Sequence, residues 1–396
     1  MKNPPRLFIL VLLAFRLMLL LSNPFSGVVG FGDLGNFFRL TEIPGWPYLH
    51  FWSEYPPIFP FLSKVIYLLA GGRENTYVNL LFLLLTLFDA LNLYLFSKLC
   101  EQIKPGDDHW LPIGMYLFVM IALPYSWWYF EPLVITTFLA GLLWILQEKP
   151  LRVGWVVGAG ILVKVFPALL LPLAVKKMGW KRGGLAVGVA LGLVAVVFGG
   201  LWLVSPEFTR ASLISQGMKG SWETVWAVLD GNLKTGAMGP LVARLDPSNA
   251  SLTTRNPAVI SPFFTLLVFG GLGLLVFLRS RLTNAIRSAA FGLVTMGLFF
   301  LWSPGWSVQW SLYFLPWMIL VFPARVSVML GFSLMIANLL EWPVIYQVNE
   351  SYVSLTIMVR TLLMVLITWM AYQVLSGREV GGLSYSSGRR SEKTDK

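Results

Sequence analysis

Long apolar runs follow one another along the whole chain, and short connectors between them carry most of the charges. The first run is Leu7–Leu21, which only Arg16 interrupts, and the last is Tyr352–Leu375. Charged residues make up 12% of the 396 residues, whereas a soluble chain usually carries about 25%. The pattern excludes an ordinary soluble enzyme, a disordered chain and a fibrous one. It predicts an all-α membrane protein that crosses the bilayer many times.

Cysteine, histidine and net charge narrow the function classes further. Cys100 is the only cysteine, which excludes a disulfide framework, and His50 and His109 are the only histidines, which argues against a zinc site. The net charge is +11, but the basic residues lie in short clusters and form no stripe for nucleic acid. We therefore expect no cofactor, no metal site and no nucleic-acid partner. The basic clusters are assigned to cytoplasmic connectors.

The apolar runs define the candidate membrane spans. A full span needs about 20 residues, and several of these runs are shorter. Besides the first and last runs, the candidates are Thr76–Ser97, Trp110–Pro124, Pro132–Gln147, Gly183–Val204, Pro262–Leu278, Ser288–Trp302, Trp310–Phe322 and Val326–Glu341.

Two further runs decide how many times the chain crosses. Ile58–Ala70 is short, which suits a re-entrant or interfacial helix better than a span. Val153–Val175 contains Lys164, Pro167 and Pro172 and has basic residues on both flanks. A broken hairpin with residues 164–167 at its outer apex keeps both flanks in the cytoplasm. The alternative makes each of these two runs a single span.

The hairpin arrangement has about 12 crossings, within a range of roughly 10 to 13, and leaves both termini in the cytoplasm. No small-x-small cleavage site follows the first run, so we expect an uncleaved span and not a signal peptide. Residues 1–376 are expected to form a single transmembrane domain with two long outer segments, 22–75 and 205–261. Residues 377–396 are expected to form a disordered cytoplasmic tail.

The first outer segment carries two carboxylates in unusual settings. Asp33 stands between Gly32 and Leu34, and Glu54-Tyr55-Pro56-Pro57 opens the short apolar run. Such a carboxylate can act as a general base or hold a substrate hydroxyl. The ordinary explanation is a solvated loop carboxylate for Asp33 and a favourable helix-dipole position for Glu54. The sequence leaves both explanations open.

Glu131 and Lys164 are charged groups in strongly apolar surroundings. Glu131 follows four aromatic residues at 127–130, and aromatic faces beside one carboxylate suit a sugar ring. Lys164 lies in VKVFPALLLP, where a charge is costly and marks a functional site by default. The alternatives are a helix N-terminus for Glu131 and snorkelling to the interface for Lys164.

Two later segments and three intramembrane charges complete the set. GSWETVWA contains Glu223, and SPGWSVQWSLYFLPW contains Gln309, although the aromatics of this block also fit a membrane belt. Arg360 lies inside the last span, where it could meet a lipid phosphate or snorkel outward. Arg16 and Asp89 lie within spans and could pair across helices.

These segments, in this order, resemble the GT-C superfamily of glycosyltransferases that use lipid-linked sugars. The similarity is greatest to the α-mannosyltransferases that depend on polyprenyl-phosphate-mannose, and it extends to the eukaryotic GPI mannosyltransferases. The features that carry the resemblance run from Phe31 to Trp317. They are Asp33 in the first outer loop, EYPPIFP, YFEPL, KVFPALLLP, GSWETVWA and SPGWSVQWSLYFLPW.

The resemblance implies a GT-C-like helix bundle in the plasma membrane, with its active site on the extracytoplasmic face. The implied partners are a polyprenyl-phosphate sugar donor, a glycan, lipid or protein acceptor, and membrane lipid. Asp33 becomes the catalytic base of an inverting displacement, and the lack of an Asp-x-Asp pair at this point argues against a divalent metal. The expected donor-binding residues are Glu54, Tyr55, Glu131, Lys164, Glu223, Gln309, Arg360, Arg39 and His50.

Two other functions remain open on the sequence. A secondary transporter or a lipid-linked-sugar flippase also needs intramembrane charges, but it would have gating elements on both membrane faces. A non-enzymatic partner in a glycosylation complex is the third option. The unusual groups of this chain gather on one face, which favours an outward-facing enzyme.

Overall fold

A computed structural model of the chain describes residues 4–22, 28–105, 109–234, 239–252, 255–378 and 380. Within these ranges the chain is helical and contains no β-strand, and isolated β-bridges join Pro47 to Phe51 and Trp222 to Gly305. The predicted all-α class is therefore confirmed. Most of the expected tail, residues 379 and 381–396, lies outside the described residues.

Fifteen α-helices of six residues or more build the described fold. They are α1 (Pro4–Ser22), α2 (Leu34–Glu42), α3 (Ile58–Leu69), α4 (Glu74–Ile103), α5 (Trp110–Ala122), α6 (Glu131–Leu146), α7 (Pro150–Val163), α8 (Leu170–Val204), α9 (Pro206–Gly217), α10 (Val225–Asp230), α11 (Pro262–Arg279), α12 (Ala285–Trp302), α13 (Ser311–Val321), α14 (Ala324–Leu339) and α15 (Val353–Leu375). Short helical turns cover Tyr125–Trp128, Phe166–Leu169, Leu241–Leu245, Pro247–Ser251, Val308–Trp310, Leu340–Ile345, Tyr346–Val348 and Glu350–Tyr352.

Seven of the described helical stretches are long and apolar enough to cross a membrane. They include α1, α4, α8, α11, α12, α14 and α15, whereas α3, α5, α6, α7 and α13 are shorter apolar helices. Helix α11 leaves its apolar surface uncovered, since Thr265 is its only buried residue. Exposed apolar helices of this kind need lipid around them. The chain is therefore an all-α membrane protein.

The short helices α6 and α13 lie at the centre of the bundle. Every residue of α13 is buried, from Ser311 to Val321, and α6 is buried over most of its length. A helix that is hydrophobic all round packs inside a bundle and does not face the surroundings. The first residues of both helices lie at the same end of the bundle, where Tyr313 contacts Glu131.

The segment between the two basic flanks reverses direction, as the hairpin prediction requires. Helix α7 ends at Val163, and Lys164 is extended, with φ −162° and ψ 140°. Helix α8 then breaks at Gly179, whose φ of 77° suits a residue without a Cβ. The turn after Lys164 and this break bring the flanks together, and Arg182 donates to the Glu148 carboxylate at 2.7 Å.

The two long segments 22–75 and 205–261 pack on each other at the other end of the bundle. The Trp52 indole N–H donates to the carbonyls of Ala243 at 3.2 Å and Asp246 at 3.1 Å. Its ring packs with Ala211 and Ala250 in a small separate apolar cluster. These contacts join residues nearly two hundred positions apart, and they form one cap over the N-terminal ends of α6 and α13.

The predicted pairing of the first two intramembrane charges is confirmed. Arg16 in α1 and Asp89 in α4 form a buried ion pair at 2.9 Å. Arg16 also donates to the Ser126 hydroxyl at 2.5 Å and lies 4.2 Å from the Trp127 ring centroid. The pair therefore ties α1 and α4 to the turn Tyr125–Trp128, which precedes Glu131.

Candidate functional site

Glu131 and Lys164 form an ion pair at the centre of the candidate site. The Lys164 Nζ lies 2.5 Å from Glu131 Oε1, and the Tyr313 hydroxyl donates to the same oxygen at 3.0 Å. Glu131 is the first residue of α6, Lys164 directly follows α7, and Tyr313 lies in the first turn of α13. Three helix ends thus place one carboxylate, one ammonium and one phenol together.

Aromatic rings surround the Lys164 ammonium. Its Nζ lies 5.0 Å from the ring centroid of Phe130 and 5.6 Å from those of Phe166 and Trp310. Ring faces attract a cation at these distances. The Lys164 side chain is still 15% exposed, so water reaches the pair from one side. Snorkelling does not describe Lys164, because its ammonium points to Glu131 inside the protein.

Asp33 lies beside this pair at the start of α2. Its backbone N–H donates to the Trp128 carbonyl at 3.0 Å, which links the first outer segment to the aromatic stretch before Glu131. The Asn36 amide donates to Asp33 Oδ1 at 2.9 Å. Gly32 allows this approach, because a Cβ there would overlap Trp128. Asp33 forms no ion pair with any described residue.

Burial raises the pKa of Asp33 above the ordinary value for aspartate. The negative charges of Glu131 and Glu54 raise this pKa further, whereas the Asn36 hydrogen bond and the Lys164 charge lower it. These charges act on Asp33 only because the fold brings the outer segment close to the helix ends. The side chain is half-buried, so Asp33 lies in a recess that water can enter.

Glu54 has a partner that the sequence analysis missed. The two terminal guanidinium nitrogens of Arg244, Nη1 and Nη2, donate to the Glu54 carboxylate, the second at 3.0 Å. The pair is buried and joins the two outer segments, and the Arg244 guanidinium lies 4.8 Å from the Trp52 ring centroid. Glu54 therefore holds the cap together. The helix-dipole explanation does not account for this contact.

Tyr55 and Lys219 also lie in the recess that contains Asp33. We call this site the charged recess, and its charged residues are Asp33, Glu54, Glu131, Lys164, Lys219 and Arg244. Burial and the charges of Asp33 and Glu54 raise the pKa of Tyr55, so its hydroxyl stays protonated. The Lys219 Nζ lies 5.5 Å from the Tyr55 ring centroid. Burial lowers the pKa of Lys219, whereas the charge of Glu54 opposes this shift. Lys219 is not among the residues that the sequence indicated, since a lysine in a polar loop carries no local signal.

The structure brings the two later sequence segments together. The backbone N–H of Trp222 donates to the Pro304 carbonyl at 3.2 Å, and the backbone N–H of Trp306 donates to the Trp222 carbonyl at 3.0 Å. The Trp222 ring packs over Gly305, where a Cβ would overlap it, and lies 6.0 Å from the Trp310 ring. Trp222 therefore extends the group of aromatic rings around Lys164, which includes Trp310, into the outer segment 205–261.

Arg360 occupies a different position from the one expected. It forms an ion pair with Glu341 and donates to the backbone carbonyl of Glu223. The side chains of Arg360 and Glu341 are 2% and 1% exposed, so Arg360 neither snorkels nor meets lipid. Glu223 has a φ of 50°, a strained value for a non-glycine residue. Arg360 therefore holds this backbone in place beside Trp222.

The remaining predicted residues lie around the recess. Arg39 is exposed and donates to the side-chain amide oxygen Oδ1 of Asn36, so it reaches Asp33 only through Asn36. His50 is exposed, and its Nδ1 accepts from the Trp46 N–H at 3.0 Å. Gln309 is half-buried next to Trp310. The fold thus gathers Asp33, Glu54, Tyr55, Glu131 and Lys164 and leaves His50 outside this group.

The described part of the chain contains no group of three or more histidine, cysteine, aspartate or glutamate residues that could hold a metal ion. A scan of protein-family models finds no match to the chain, and a search of curated proteins finds no similar sequence.

Proposed function

We propose that the chain is a membrane glycosyltransferase of the GT-C type. It would transfer a sugar, mannose in the first instance, from a polyprenyl-phosphate donor to a glycan, lipid or protein acceptor. The observation that carries this proposal is the Asp33 carboxylate, which forms no ion pair with any described residue and lies in a half-buried recess beside Glu131 and Lys164. A carboxylate of this kind can accept a proton from a hydroxyl.

The reaction needs one base and no general acid. The acceptor oxygen attacks C1 of the sugar while the bond from C1 to the phosphate oxygen breaks, and Asp33 takes the acceptor proton. The electron pair of the broken bond leaves with the phosphate, which is a good leaving group. Burial raises the pKa of Asp33 and makes it a stronger base. A single displacement inverts C1, so a β-linked donor gives an α-linked product.

The neighbouring groups suit a sugar ring. Glu131 Oε2 and the Trp310 indole N–H are buried and have no hydrogen-bond partner among the described residues. Buried polar atoms normally have partners, and sugar hydroxyls could supply them here. The faces of Trp310 and Trp222 offer the apolar contact that a sugar ring prefers. Tyr55 and Gln309 are half-buried, Gln309 directly precedes Trp310, and both could bind further hydroxyls.

We further propose about 12 crossings, with both termini in the cytoplasm and the recess facing the extracytoplasmic side of the plasma membrane. Two observations support this arrangement. The basic flanks of the α7–α8 hairpin lie at the same end of the bundle, and the charged recess lies near its apex at Lys164. The end of the bundle that carries the basic flanks suits the cytoplasm, so the recess at the opposite end would face outward. Helix α3 would then lie along the membrane surface.

The test is to incubate the purified protein with a panel of polyprenyl-phosphate sugars and a lipid extract that supplies acceptors. We expect consumption of one donor, release of polyprenyl phosphate and a glycosylated acceptor, all identified by mass spectrometry. The alternative, a flippase or transporter, would move the donor unchanged across the bilayer of a proteoliposome. Translocation without donor cleavage would therefore refute the enzyme and support the alternative.

A further inference from the structure

The charged groups of the recess can be sorted into pairs. There are three carboxylates and three cations, namely Asp33, Glu54, Glu131, Lys164, Lys219 and Arg244. Lys164 is matched by Glu131 at 2.5 Å, and Arg244 is matched by Glu54 through two hydrogen bonds. Asp33 and Lys219 remain, and neither forms an ion pair with any described residue. The recess therefore leaves one carboxylate and one ammonium available to a ligand.

Lys219 is held where a ligand could reach it. It follows the end of α9 at Gly217, and the fold packs Gly220 closely against Arg255. The Lys219 Nζ lies 5.5 Å from the Tyr55 ring centroid, and the side chain is half-buried. Burial by the surrounding protein lowers the pKa of the ammonium, but the side chain remains partly exposed. Such an ammonium gains more from an anionic ligand than one in open solvent.

We propose that Lys219 binds the phosphate of the lipid-linked ligand, and that Asp33 faces the acceptor hydroxyl on the other side of the sugar. This inference rests on the proposed function. An ammonium is a suitable point charge for phosphate, and it stabilises the negative charge that develops on the leaving oxygen. The protonated Tyr55 hydroxyl beside it can donate a second hydrogen bond.

The cations that the sequence indicated as donor-binding residues suit this task less well. The charge of Lys164 is already matched by Glu131. Arg360 is buried against Glu341 and the Glu223 carbonyl. Arg39 is exposed and contacts Asn36. Lys219 is therefore the cation whose charge the described residues of the recess leave unmatched.

The test measures binding and does not depend on sugar transfer. The protein in detergent is titrated with polyprenyl phosphate, with the neutral polyprenol of the same chain length and with inorganic phosphate, and tryptophan fluorescence reports binding. We expect Lys219→Gln to weaken polyprenyl-phosphate binding about tenfold or more, since a charged hydrogen bond is lost. Polyprenol binding should not change, and Lys219→Arg should retain most of the affinity. Inorganic phosphate should compete in the wild type but not in Lys219→Gln.

Lys234→Gln is the matched control, because Lys234 lies in the same outer segment but is exposed and pairs with Glu350. If Lys219→Gln fails to fold, Lys219→Met replaces it, since methionine keeps the side-chain stem over Tyr55. Equal affinity of the wild type and the folded Lys219 variant for polyprenyl phosphate would overturn the inference. So would equal affinity of the wild type for polyprenyl phosphate and polyprenol. Binding that depends on Lys219 without any sugar transfer would instead refute the proposed function alone.

Discussion

Lys164→Met removes the ammonium that matches Glu131 and keeps an unbranched apolar side chain. The two side chains are 15% and 1% exposed, and their charged atoms lie 2.5 Å apart. Without Lys164, Glu131 keeps the Tyr313 hydroxyl at 3.0 Å but becomes an uncompensated buried charge. Removing one partner of a buried pair costs about 3–5 kcal/mol. We expect the lower end, about 3 kcal/mol, because Lys164 is partly exposed.

The assay is unfolding by SDS in mixed micelles, followed by tryptophan fluorescence. Adding Glu131→Gln to Lys164→Met removes the uncompensated charge, so the double variant should lose at least about 1 kcal/mol less than the sum of the single variants. Arg182→Met is the control, since it breaks an exposed pair with Glu148 and should cost less than about 1 kcal/mol. Equal losses for Lys164→Met and Arg182→Met, or additive single variants, would refute the reasoning.

Two further predictions concern the rate of transfer. The value of kcat/KM should fall at acid pH with an apparent pKa above that of ordinary aspartate, because the pKa of Asp33 is raised and only its ionised form accepts a proton. Asn36→Ala removes a hydrogen bond that lowers this pKa, so the acid limb should move to higher pH. An unmoved limb would argue against Asp33. Gly305→Ala should lower kcat/KM about tenfold or more, since the added methyl displaces the Trp222 ring. Gly271→Ala, which meets open space, should have no effect, and equal rates for the two variants would show that the position of Trp222 does not matter.

Local sequence features were enough to find the helices and several of the charged sites. Charges inside apolar runs are costly, so Arg16, Asp89 and Lys164 were recognisable without a structure. The first two do pair, and Lys164 meets Glu131. Basic residues on both flanks of one run also predicted the chain reversal at Lys164. These features can be recognised because each one is a charged residue within an apolar run or directly beside it.

Partners that are distant in the sequence could not be predicted in this way. Arg244 meets Glu54 across 190 positions, and Arg244 looks like an ordinary loop charge in the sequence. Glu341 ends the predicted span Val326–Glu341, and nothing nearby in the sequence indicates that it neutralises Arg360. Lys219 acquires its significance only after the other cations have been assigned to carboxylates. Tertiary pairing, and not local pattern, determines which charges remain for a ligand.

The most direct test of the account is the initial rate at which Asp33→Asn releases polyprenyl phosphate from the donor that the wild type consumes. Loss of the general base should lower this rate by about 100-fold or more, with folding and donor affinity retained. Glu207→Gln, which changes an exposed carboxylate of the same cap, should leave the rate unchanged. Turnover of folded Asp33→Asn close to that of the wild type would contradict the account.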